Sequence, residues 1–376
     1  MNAATVMVMI AGSRWTNTRG TDHRLAEALA QQVHVLWVDP PVPYGMSKNA
    51  PQKRMPCGHS LDSVGPGLMR LQFTAPPGFT RRVVRTVVPH LRAKAIAAAI
   101  RSLGVSTTAT LVLSPRDEFP SLGGGIRALH VTDDWPAGAG MMGLSLRVVQ
   151  GTLVRNISRA DVVSAVSPPL ASAVTGLGAR NVSVLPNGCA AIPVGEGAGR
   201  EPRKVAGIIG QLNERLDFDL LDELVDSGIA IEVVGPMTAR AHEARARLNR
   251  FLAAKNVTWL GELAERDLWP RMREMSVGLT PYADNVFNHA SFPVKTLDYL
   301  AVGLPVVSTD LPATRWLDTS LIMTAQSNTD FVAKVRTALE GGHKAEDHTA
   351  RQIFAAGHSW DARATQLLSL IEEAQR

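Results

Sequence analysis

Three residues at helical spacing, Ser291, Lys295 and Asp298, carry the clearest chemistry in the chain. At i, i+4 and i+7 they share one helix face. The pattern predicts a helix from Phe292 to Val302, with Ser291 as its N-cap and Gly303 and Pro305 as its stop. A helix N-terminus exposes free N–H groups and a positive dipole end, so a lysine beside it suits an anion such as a diphosphate. An acid one turn further in suits sugar hydroxyls. The same spacing also fits an ordinary capped helix whose lysine and aspartate are merely solvated.

Two other constellations carry chemistry. Ile126 to Val131 reads as a strand ending in Thr132-Asp133-Asp134, with His130 three residues before the acids. His130, Asp133 and Asp134 are therefore candidates for a general base or for acceptor binding, set against local turn caps and a core histidine. Gly12 to Gly20 is a polar, glycine-bounded loop carrying Arg14 and Arg19, with Arg24 one helical turn on. It suits a phosphate or an acceptor, or else is a basic solvated loop; it is not the dinucleotide fingerprint.

These residues need elements to position them. Thr5 to Ala11, Thr21 to Gln32 and Val33 to Val38 read as strand, helix and strand, a unit whose ligand site lies beyond the carboxyl ends of its strands. Pro40 to Pro66 reads as a long irregular excursion. Further strands are expected at Leu68–Phe73, Ala109–Leu113, Asp161–Val166 and Asn181–Leu185, with a helix near Leu144 to Ser158. A second α/β alternation has strands at Val205–Ile209, Ile229–Val234, Val257–Leu260, Val277–Thr280 and Leu304–Val307. Its first loop, Gly210 to Asp217, again sets a glycine after a strand with a base, Arg215, nearby. The fold class is thus α/β, two doubly wound Rossmann-like domains facing a central cleft. The boundaries are 1–186 for an acceptor-binding domain, 187–203 for a linker and 204–357 for a second domain. Residues 358–376 form a C-terminal helix placed to pack back on the first domain.

Composition narrows the function classes. The 376 residues are 45% hydrophobic and 19% charged, as in a globular chain with sizeable cores. A net charge of +5 and 5% aromatics, without an aromatic–basic repeat, do not indicate nucleic-acid binding. Cys57 and Cys189 are far apart and lack metal-ligand spacing; a single bridge between them is one reading and a reducing compartment the simpler one. The N-terminus has an apolar run without a basic flank, which reads as a first strand, and no run is long enough to span a bilayer. The expected location is the cytoplasm. Residues 81–101 hold six Lys/Arg and no acid at helical spacing, split at Pro89 into two helices. Such a segment suits an anionic membrane surface on the inner face, or else the outer side of a sheet-covering helix.

Pro293 to Val307, with Val184 to Gly188, Val233 to Pro236 and Leu260-Gly261, resembles the nucleotide-sugar-dependent glycosyltransferases of the GT-B fold, group 1 or family four-like. The likeness covers most of the chain and is strongest from Val205 to Pro312. It implies transfer of a sugar from a UDP- or GDP-linked donor to a glycan, glycolipid or small-molecule acceptor. Asp298 stands where the family's second glutamate holds the donor ribose, while Ala290 replaces the first. By the same likeness Lys295 and the amides near Val294 meet the diphosphate. Gln211 occupies an arginine position beside Gly210, Arg215 is the nearest base, and Gly235, Gly261, Leu263 and Tyr282 line the nucleoside. Ser291 belongs to this donor set, and Gly12, Arg14, Arg19 and Arg24 to the acceptor side. Lys295 and Arg215 would stabilise the leaving diphosphate, and Asp133, Asp134 or His130 would serve the acceptor hydroxyl. No Asp-x-Asp motif stands at the donor side, so neither metal nor cofactor is expected. The alternatives are a sugar-nucleotide 2-epimerase of the same fold and a catalytically weak nucleotide-sugar-binding partner protein.

Overall fold

The structure is a computed structural model that describes residues 4–17, 19–44, 58–78, 84–199, 202–292, 294–341 and 344–376. The first half runs β1 (Thr5–Ile10), α1 (Thr21–Ala30), β2 (Val35–Val38), β3 (Val42–Pro43), β4 (His59–Gly65), β5 (Leu68–Ala75), α2 (Val88–Leu103), β6 (Ser106–Val112) and β7 (Ile126–Val131). It continues through α3 (Leu146–Ile157), β8 (Val162–Ala165), α4 (Pro168–Gly176) and β9 (Ser183–Val184). Among the described residues these strands form one sheet in the order β3-β5-β2-β1-β6-β7-β8-β9, with β4 antiparallel to β5 and the other pairs parallel.

Alternation along β1 shows why the sheet is covered on both sides. Val6, Val8 and Ile10 face the cluster that includes Ala95, Ile96 and Ala99 of α2. Met7, Met9 and Ala11 face Leu25, Ala26 and Leu29 of α1. Successive side chains of a strand point to opposite faces, so an unbroken apolar run needs a helix on each.

The second half runs β10 (Ala206–Ile209), α5 (Phe218–Asp226), β11 (Ile231–Val234), α6 (His242–Leu252), β12 (Val257–Trp259), α7 (Glu265–Arg273) and β13 (Val277–Thr280). Then follow α8 (Val286–Ala290), α9 (Val294–Ala301), β14 (Val306–Thr309), α10 (Pro312–Trp316), β15 (Ile322–Ala325), α11 (Asn328–Glu340), α12 (Ala345–Ala356) and α13 (Trp360–Glu373). Its parallel sheet has the order β12-β11-β10-β13-β14-β15. The chain is thus a pair of doubly wound α/β sheets, as the apolar strand pattern requires.

Two crossings between the halves lie side by side. Cys189 N donates to His358 O at 2.9 Å, and Trp360 N donates to Cys189 O at 3.2 Å. Gly188 makes room for this, since a Cβ there would stand 2.7 Å from Trp360 N. Beyond the crossing, Trp360, Ala364, Leu367 and Ile371 of α13 join the α1 side of the first core. Cys189 is a buried free thiol, and Cys57 lies outside the described residues.

Several local expectations need correction. The helix expected from Phe292 to Val302 is two elements: Asn285 caps α8 by accepting from Asn288 N at 2.9 Å, and α9 begins at Val294. Ser291 is the C-cap of α8, its Oγ donating to Phe287 O at 2.9 Å, and so does not cap α9. The basic stretch does divide beside Pro89: a 3-10 turn over Val84–Val87 precedes α2, and Pro89 sits in the first turn of α2, where a missing N–H costs nothing. The excursion at 40–66 contains β3 and β4, with 45–57 outside the described residues. Residues 81–83 of the basic stretch also fall outside, and Arg92 turns away from its basic face. It is 2% exposed, paired with Asp117 and donating to Glu118 O at 2.7 Å.

α9 is fastened to the second sheet by Tyr299. Its ring lies over Gly278 of β13, where a Cβ would stand 2.2 Å from the ring. Its hydroxyl accepts from Ile209 N at 2.8 Å and donates to Gly207 O at 3.0 Å. Tyr299→Phe strands a buried strand-end N–H, which should cost about 1–3 kcal/mol. Urea denaturation of the variant, with no loss of stability, would show that the hydroxyl is not a fastening.

Candidate active site

Bare backbone forms the second-domain wall of the cleft. Gly210 follows β10 at φ +134° and Gly235 follows β11 at φ +143°, in a region that side chains avoid. A Cβ on Gly235 would come 1.8 Å from Gly210 O, so the two turns pass with nothing between them. Gly210 N donates to Val234 O at 2.9 Å and Gly235 N to Gly261 O at 2.7 Å, which ties the three strand ends together. Leu263 and Tyr282 are partly buried beyond them, and Gln211 is exposed at the rim.

Lys295 lies over this glycine floor, its stem 3.8 Å from where a Gly210 Cβ would be. Its Nζ donates to Asp298 Oδ2 at 2.9 Å. Asp298 is 2% exposed, and its other oxygen, Oδ1, is buried with no hydrogen-bond partner. A buried acceptor left open is costly. Val294 N donates to Phe292 O at 2.9 Å, so that amide is already engaged.

Arg215 completes the wall. Its guanidinium lies between the rings of Tyr282 and Phe287, 5.0 and 5.2 Å from their centres, and its Nε donates to Asn288 Oδ1 at 3.0 Å. Asn288 in turn donates to Arg215 O and Ala283 O at 2.9 and 2.8 Å. Stacking and amide contacts orient the cation while leaving its remaining N–H groups for an anion.

The first-domain wall presents acids. Burial pushes the Asp133 carboxyl up from 3.8 to about 6. Arg215 across the cleft and the neighbouring Ser291 pull it down, while Asp22 and Asp134 add to the rise. Asp22 is the acid that sequence spacing did not single out. It stands in the first turn of α1, where Gly12 N and Ser13 Oγ donate to it at 3.0 and 3.2 Å, and burial raises its carboxyl too. The signal available was an acid in the helix turn that follows a Gly-Ser loop.

The remaining candidates do not all converge. His130 is a satisfied core histidine: 2% exposed on β7, sharing a 2.9 Å hydrogen bond with Ser164 on β8, and lowered to about 4 by burial. Asp134 accepts from Ala137 N at 3.0 Å and so caps its own turn. Gly12 and Arg14 line a cavity in the first domain. Arg19 is paired with Glu27 at 2.5 Å, and Arg24 lies 5.9 Å from the ring centre of Trp269 in α7.

The two walls touch. Ser167 Oγ donates to Ala290 O at 2.5 Å, and Gly138 leaves room for Phe287, whose ring a Cβ would meet at 2.6 Å. Ala290 thus serves the domain contact through its carbonyl.

Residues 203–341 match the family model described as Glycosyl transferases group 1. A Bacillus subtilis protein described as a teichuronic acid biosynthesis glycosyltransferase is 27% identical over 169 residues. That alignment covers 44% of this chain and 42% of that protein, so the likeness spans under half of either. Among solved structures, sucrose-phosphate synthase from Thermosynechococcus elongatus superposes with a TM-score of 0.70 at 14% identity, covering 98% of both chains. Anabaena HepE, solved with UDP and glucose, gives 0.62 at 14% identity, covering 99% of this chain and 100% of that one. At such identities the structures establish the GT-B fold.

A carboxyl that titrates near 6 when folded and near 3.8 when unfolded binds its proton more tightly in the fold. Its contribution to stability is full below the lower value and is lost as pH rises through about 6. Asp133→Asn should therefore gain stability relative to the native chain between roughly pH 4 and 7. Urea unfolding at stepped pH measures this, and parallel profiles for the two proteins would refute the buried, raised carboxyl.

Proposed function

We propose, from a chain whose residues 203–341 belong to the group 1 glycosyl transferases and whose scaffold is GT-B, that the protein is a glycosyltransferase. It takes a nucleoside diphosphate sugar at the second domain and passes the sugar to an acceptor held by the first. The observation that carries the reading is Asp298: one carboxyl oxygen held by Lys295, the other buried and open, beside the bare Gly210 and Gly235 turns. An open acceptor suits a ribose hydroxyl, and turns without Cβ atoms let a diphosphate approach the backbone. The bound UDP in the HepE structure supports a UDP-linked donor.

Breaking the bond between the sugar and the diphosphate builds negative charge on the leaving oxygens. Lys295 and Arg215 are fixed cations on that side of the cleft, and their attraction grows as the charge develops. Neither needs to reorganise, because Asp298 holds the one and the Tyr282–Phe287 pair holds the other. The family likeness favours retention at the anomeric carbon. In that course the leaving phosphate takes the acceptor proton, and Asp133 orients the acceptor hydroxyl. The small gap between a carboxyl near 6 and neutral pH makes Asp133 a stronger hydrogen-bond acceptor than an ordinary aspartate.

Nucleotide release with UDP-sugars and a panel of acceptors tests the activity, and the anomeric proton of the product, read by NMR, tests retention. Lys295→Gln should lower kcat by about 10²–10³. Full turnover in that variant, with an unchanged melting curve, would remove Lys295 from the diphosphate site.

A further inference from the structure

A cavity of about 470 Å³ lies in the first domain, at the carboxyl ends of β1, β2 and β6. That volume suits a sugar-sized ligand. Val88, Val148 and Val149 give it an apolar floor, and two guanidiniums, Arg14 and Arg116, stand on its walls. Arg14 Nη2 donates to Pro41 O at 3.0 Å and Arg116 Nη2 donates to Gly12 O at 2.9 Å. Each arginine is held by one backbone carbonyl, and among the described residues neither has a carboxylate partner.

The single acid on the lining, Asp117, does not offset them. Its Oδ1 is paired with the buried Arg92, and its Oδ2 accepts from Ser114 Oγ at 2.6 Å. The cavity therefore carries an excess of positive charge from cations whose remaining donors meet no acceptor among the described residues. Guanidiniums present paired N–H groups that match the oxygens of a phosphate or carboxylate. Arg240 of the second domain packs on Gly143 at the cavity rim, where a Cβ would stand 2.5 Å from its guanidinium.

We propose that this cavity binds the anionic group of the acceptor, making the acceptor a sugar that bears a phosphate or a carboxylate. The inference rests on the transferase reading for the word acceptor; the anion site itself rests on Arg14, Arg116 and the cavity. Sequence spacing pointed to Arg14 within a basic loop, but Arg116 lies 102 positions away in the chain and is brought beside it by the pairing of β1 with β6.

Calorimetric titration of the full chain with glucose 6-phosphate, glucuronate and glucose tests it, with UDP as a separate ligand. At least one of the two anionic sugars should bind about tenfold or more tightly than glucose, and which one does so identifies the oxyanion. Arg14→Gln and Arg116→Gln should each weaken that binding about tenfold while UDP affinity stays unchanged, which also reports that the variants are folded. Glucose binding as well as the anionic sugars, anion binding undiminished in both variants, or no binding of any of the three sugars would overturn the proposal. Failure of UDP to bind, with the anion preference intact, would instead count against the donor reading and leave the anion site standing.

Discussion

A carboxyl group withdrawn from water must be met by partners, and Asp298 is met on one side only. Lys295 holds Oδ2, while Oδ1 stays buried and open. Lys295 reaches solvent while Asp298 does not, so the pair is buried on the carboxylate side only. The arrangement persists because α9 cannot move away from it. Tyr299, one residue on, is seated on Gly278 and bonded into β10, so the helix that carries the pair is fixed to two strands at once. Glycine at 278 is required because a Cβ would stand inside the ring. The carboxyl thus stays buried as a consequence of the packing beneath it.

The cleft then acquires opposite signs on its two walls. Asp22 and Asp133 stand on the first domain, and Arg215 and Lys295 on the second. The signs meet at Asp133, whose carboxyl is raised by burial and lowered by Arg215 from across the gap. Such an arrangement concentrates its field where water is scarce, so charge that develops between the walls is strongly felt. The walls are kept close by the Ser167–Ala290 hydrogen bond and by Phe287 against Gly138. Ala290 joins this contact through its backbone carbonyl.

Much of this was legible in the chain. The apolar strand runs announced two doubly wound sheets, and the turns after β10, β11 and β12 carry glycines at positive φ, of which Gly235 has no room for a Cβ. Lys295 and Asp298 were legible as a pair because three residues along a helix are neighbours whatever surrounds them. Ser291 was misread for a related reason. A serine before an apolar run looks like an N-cap, but Asn285 had already started a short helix, and the serine closes it. Caps are local, yet which of two helices a cap serves depends on where the preceding one began.

His130, Arg24 and Arg116 mark the limit. Nothing near His130 in the chain announces Ser164, its partner on the next strand. Nothing near Arg24 announces Trp269 in the other domain, and Arg116 reaches Gly12 only because β6 lies beside β1. The amino-acid sequence by itself determined most of the parallel strands, the bare glycine turns and the helical pair, since each depends on a few adjacent residues and on backbone sterics. The tertiary structure alone decided which charged side chains meet in the cleft and which are spent on distant partners. A long side chain's direction is set by whatever donor or acceptor lies within reach, and that partner is brought close by sheet order and domain contact.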